Sequence, residues 1–97
     1  MPTTYVATDV PAQAVITTAV SDGAGKVHLH YEAEGASSYD LRAKGPGQSE
    51  FVTLVAGTEE TVHEFTGLAV GAWSFEVVGN NASGAGEASL PRNVTVA

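Results

Sequence analysis

The chain has 97 residues, no cysteine, and four Lys+Arg against eleven Asp+Glu, for a net charge of −7. That length holds one domain, and the missing cysteine excludes disulfides, thiolate metal sites and cysteine nucleophiles. The four cations, Lys26, Arg42, Lys44 and Arg92, are too few and too scattered to neutralise nucleic-acid phosphates or an anionic membrane.

Residues 1–10 read as an N-terminal arm bracketed by Pro2 and Pro11, with Tyr5 and Val6 among its few sizeable apolar groups. The arm has no basic start and no apolar signal core, so the chain is expected to work where it is made or to lack a leader. No apolar run approaches the ~20 residues of a membrane-spanning helix. The remainder, residues 11–97, is expected to form the domain proper.

Helical spacing is absent, and strand signals recur between turns every eight to twelve residues. A first strand is expected over 13–20, followed by the turn Ser21-Asp22-Gly23-Ala24-Gly25. A second covers 26–33, with Val27, Leu29 and Tyr31 on one face and His28 and His30 on the other. A third covers 38–44, with Tyr39, Leu41 and Ala43 inward and Asp40, Arg42 and Lys44 outward. Gly45-Pro46-Gly47 breaks the chain. A fourth strand covers 51–55, and Ala56-Gly57-Thr58 reads as a turn. A fifth covers 61–65 and a sixth 72–80. In the sixth, Trp73, Phe75, Val77 and Gly79 alternate with Ser74, Glu76, Val78 and Asn80. A last strand spans 87–96 and is interrupted at Pro91, which has no N–H to give a ladder. The pattern predicts an all-β protein, a seven-stranded immunoglobulin-like β-sandwich.

The ordered set of residues resembles a fibronectin type III domain over roughly 11–97. The sixth strand carries the resemblance through Trp73, Phe75, Val77, Gly79, Asn81 and Gly84, preceded by Leu68 and Gly71. Val27, Leu29 and Tyr31 stand where the family's second strand has two aliphatics and a tryptophan. Tyr39 opens the third strand, and Val94 and Val96 close the last. Trp73 occupies the place of the family's corner tyrosine. An indole N–H donates and cannot accept, so this corner must be wired differently.

Chemistry-bearing residues are few. His28 and His30 point the same way, and the resemblance makes the second and fifth strands neighbours, which brings Glu64 to the same face. Two imidazoles and a carboxylate are a candidate zinc set, weighed against a polar, solvent-facing strand with cross-strand His–Glu pairs; the latter is preferred. His63 reads as a boundary packing residue. No nucleophile elbow, catalytic triad or phosphate-binding glycine loop is present, and no cofactor is expected. No Arg-Gly-Asp tripeptide occurs.

Charged residues make up 15% of the chain, against about 25% in ordinary soluble domains. Such a surface loses little solvation on packing against a neighbour. The expectation is a non-enzymatic structural or interaction module whose partner is a protein or larger assembly, including a homo-oligomer. Modules resembling this one occur as accessory proteins on bacteriophage heads and tails, which implies a virion decoration or tail-associated role on the virion surface or outside the cell. The alternative is a spacer or adhesive module of a secreted bacterial enzyme or surface protein. Tyr5, Val6 and the outward Val78 are the expected interaction residues, and Val78→Asp is expected to leave the fold intact.

Overall fold

The structure, a computed structural model, describes residues 10–97. Tyr5 and Val6 therefore lie outside the described residues. The described residues form strands and turns without a helix, arranged as two sheets. The smaller sheet orders β1 (Val15–Gly23), β2 (Lys26–Glu32) and β5 (Val62–Phe65) as β1-β2-β5. The larger runs from β4 (Val52–Thr58) through β3 (Ser38–Lys44) to β6 (Gly71–Asn81). Along the far side of β6 lie β7 (Gly84–Ala85), against Asn80 and Asn81, and β8 (Arg92–Val96), against residues 71–75. All pairings are antiparallel.

β7 and β8 together take the place of the one interrupted last strand expected from Pro91. The gap is bridged in an unusual way. The Val77 N–H donates to the Ser89 hydroxyl at 2.9 Å, and the Ser89 N–H donates back to the Val77 carbonyl at 2.8 Å. Ser89 is the one buried polar residue among those described. Its side chain does here what a ladder carbonyl would do, so the β6 backbone stays paired where Pro91 prevents regular pairing.

The core lies between the sheets. The period of two delivers Val27, Leu29 and Tyr31 from β2, Tyr39, Leu41 and Ala43 from β3, and Phe75 and Val77 from β6. Phe65, Val94, Val96, Ile16, Ala14 and Ala33 complete it. Tyr31 and Tyr39 meet edge to face with ring centroids 5.1 Å apart, and Phe65 lies 5.3 Å from Phe75. Small residues let the layers close: a Cβ on Gly79 would meet the Ala33 and Ala36 methyls at 2.9 and 3.0 Å.

Two elements differ from expectation. β4 extends through Thr58, and Gly57 lies inside it rather than in a turn. Gly57 has φ +71, its N–H donates to the Asp40 carboxylate at 2.9 Å, and the β3–β4 register shifts beside it. The sequence signal of a turn therefore marks a bulge, which needs the same left-handed glycine. Similarly, β1 continues to Gly23 and leaves only Ala24 and Gly25 to turn the hairpin.

Candidate functional site

His28 and His30 sit on β2, the central strand of the three-stranded sheet. Val27, Leu29 and Tyr31 are fully or almost fully buried, so the two imidazoles occupy the outer face. Their Nε2 atoms are 2.9 Å apart and their ring centroids 4.8 Å apart, tilted by 52°. Across the ladder, His28 stands between Val20 on β1 and Glu64 on β5, and His30 between Thr18 and Val62. The expected neighbourhood of β2 and β5 is present, with Glu64 in register with His28. The three side chains do not form a closed ligand set, however. Among the described residues, no group of three or more His, Asp or Glu is placed to hold a metal ion. The structure thus brings the two histidines together and leaves Glu64 as an exposed cross-strand neighbour.

His63 takes the opposite side of β5 from Glu64 and packs edge to face on Phe65, centroids 4.6 Å apart. It is a half-buried packing residue.

Val78 is the clearest correction. Alternation puts it on the face opposite Phe75 and Val77, yet it is only 3% exposed. A period of two fixes the face on which a side chain lies, and it says nothing of what covers that face. A buried Val78 cannot serve as a docking residue without rearrangement, and an aspartate there would be a buried, unpaired carboxylate.

Polar groups on the outer face of the larger sheet pair locally. Arg42 Nη1 lies 3.1 Å from Glu76 Oε1 on directly opposed strands, the Ser74 hydroxyl donates to Asn93 at 2.6 Å, and the Lys44 ammonium stands 5.2 Å over the Phe51 ring. Arg92 crosses between the sheets, donating to the Ile16 carbonyl at 2.8 Å. It lines a depression with Val15 and Leu90, and the carbonyl contact uses its Nη1. Burial, with a smaller push from Tyr39 and Glu60, raises the Tyr31 hydroxyl to about 12. This hydroxyl finds no protein partner among the described residues.

At the turn into β6, the Trp73 indole N–H donates to the Ala69 carbonyl at 2.8 Å. The ring also closes over Gly45, where an added Cβ would meet it at 2.8 Å. A single donated bond replaces the bond a tyrosine hydroxyl would make, and the larger ring is accommodated by a glycine.

No family model matches the sequence, and neither does any curated protein. Solved structures do match. The chain is similar to an Fn3-like protein from Clostridium thermocellum, with a TM-score of 0.71, 20% identity, and coverage of 94% of this chain and 95% of that one. It is similar to the FN5 domain of Drosophila Lar, with a TM-score of 0.73, 19% identity, and coverage of 90% and 97%.

The chain has the fibronectin type III fold.

A third similarity is to the structure of titin kinase and its flanking domains, with a TM-score of 0.72 and 17% identity. It covers 91% of this chain but 17% of that longer one. The sequence-based resemblance through Trp73, Phe75, Val77, Gly79 and Asn81 thus leads to the correct fold at identities of 20% or below. In this fibronectin type III fold the alternating aromatics belong to the core or to the corner. The histidine pair, by contrast, stands on an outer face with no packing role toward the other sheet.

Proposed function

We propose that the chain serves as a non-enzymatic spacer or connector module within a larger protein or assembly. One observation supports this reading above others: the two ends of the described domain lie at opposite poles. Ala12 donates to Glu34 beside the β2–β3 turn. The Ala97 carbonyl instead accepts from Gly25 in the β1–β2 turn, at the other end of β2. A module entered at one pole and left at the other transmits the chain direction and suits end-to-end linkage. The similar Lar structure is described as a domain, FN5, and the similar part of the titin kinase structure is 17% of a longer chain.

The virion decoration reading draws no support from any described feature, and the burial of Val78 removes one of the residues on which docking would rest. The spacer reading is tested by joining two copies in tandem through residues 11 and 97. Small-angle scattering is expected to give an extended two-domain particle, and the single domain is expected to sediment as a monomer. A stable trimer or larger ring of the single domain would overturn the proposal in favour of an assembly subunit.

A further inference from the structure

The geometry points to a divalent metal site at His28 and His30, suited to Cu²⁺ or Ni²⁺ bound through both Nε2 atoms. Two residues apart on a strand, the rings project from the same face. β2 is paired on both sides, to β1 and to β5, so the backbone under the pair is held rigidly before any ion arrives. Both Nε2 atoms, the nitrogens farthest from the backbone, are turned toward each other and stand 2.9 Å apart. One proton holds this contact together, one ring donating and the other accepting. When a metal ion takes both Nε2 lone pairs, the donating ring moves its proton from Nε2 to Nδ1, so both imidazoles stay neutral and each forms one dative bond.

The separation selects among ions. With metal–nitrogen bonds of about 2.0–2.1 Å, nitrogens 2.9 Å apart subtend roughly 90° at the metal. A tetrahedral ion such as Zn²⁺ asks for about 109°, hence nitrogens about 3.3 Å apart. Roughly 90° is the angle between adjacent ligands in the tetragonal and square-planar sites of Cu²⁺ and Ni²⁺, for which imidazole is a suitable donor. With no third protein ligand grouped there among the described residues, the other coordination positions go to water or to an incoming donor. Glu64, in register with His28, adds a negative charge beside the ion. Lys26, two residues before His28 on the same face, adds the opposing one. The flanking Val20 and Val62 are 46% and 38% exposed and leave the approach to the rings open.

The test is titration with Ni²⁺ and Zn²⁺, read by calorimetry and by the NMR signals of the three histidines. Ni²⁺ is expected to bind with a dissociation constant on the order of micromolar. It should broaden His28 and His30 more strongly than His63, and bind more tightly than Zn²⁺. His28→Ala and His30→Ala should each weaken Ni²⁺ at least about tenfold, and His63→Ala should leave it unchanged. Broadening centred elsewhere in the unaltered chain would overturn the assignment. So would binding that survives both substitutions, or no binding at about 100 µM Ni²⁺.

Discussion

Trp73 and Ala69 are joined by a 2.8 Å hydrogen bond from the indole N–H to the carbonyl four residues earlier. The bond closes the crossover between β5 and β6, and the ring lies against Gly45 at the end of β3. One side chain thereby ties the crossover from the smaller sheet to a strand end of the larger.

Trp73→Phe removes the donor and leaves the Ala69 carbonyl without this partner. A net loss of about 1–2 kcal/mol is expected, from one hydrogen bond and some lost packing. Because Trp73 is the only tryptophan, the variant is followed by circular dichroism in urea rather than by fluorescence. An unchanged midpoint would mean that the corner bond contributes nothing.

Ser89→Ala deprives the buried Val77 N–H of its acceptor. Pro91 lies close by and the local ladder is interrupted, so no backbone carbonyl stands ready to replace it. The expected loss is about 1–3 kcal/mol. Hydrogen exchange should show the Val77 amide losing protection more than its neighbours in β6.

Val77→Asp and Val78→Asp are both expected to unfold the domain. The two residues are 0% and 3% exposed, and a buried, unpaired carboxylate costs more than a domain of this size holds in reserve. Retention of the fold by Val78→Asp, seen in its circular dichroism and NMR dispersion, would contradict the burial of that face.

Tyr31→Phe is expected to be neutral or stabilising by up to about 1 kcal/mol, since it deletes a desolvated hydroxyl with no protein partner. The pH dependence follows from the raised value of about 12 against an unfolded 10.0. Between these values the unfolded chain releases the Tyr31 proton and the folded one retains it. The native protein should therefore lose stability relative to the variant as pH rises from 10.0 toward 12, by up to about 1.4 kcal/mol per pH unit. Below 10.0 the difference between the two should be flat. Parallel denaturation curves across that whole range would show that Tyr31 is not the group responsible.

What could be read from the sequence was whatever alternation alone decides. β3 was legible to its end residues because Tyr39, Leu41 and Ala43 alternate with Asp40, Arg42 and Lys44 between clear breakers. The sequence pattern ends β4 too early because Gly57 carries the same signal in a bulge as in a turn, and the Asp40 carboxylate that fixes the bulge lies 17 positions away. Alternation places Val78 on its face and leaves its burial undetermined, since cover is a tertiary property. The histidines were legible as a same-face pair. The convergence of their Nε2 atoms, which changes what the pair can bind, depends on ring orientation that no spacing encodes.

Pro91 and the side-chain bridge at Ser89 also bear on how the protein meets copies of itself. A sheet border with regularly spaced free N–H and C=O groups invites a further strand, and from there aggregation. Here one border of the five-stranded sheet is divided into the two-residue β7 and the five-residue β8. The other border, β4, is bent by the bulge at Gly57. Neither offers an uninterrupted template. Units crowded along one polypeptide, at high local concentration, are therefore hindered from zipping together through the borders of this sheet.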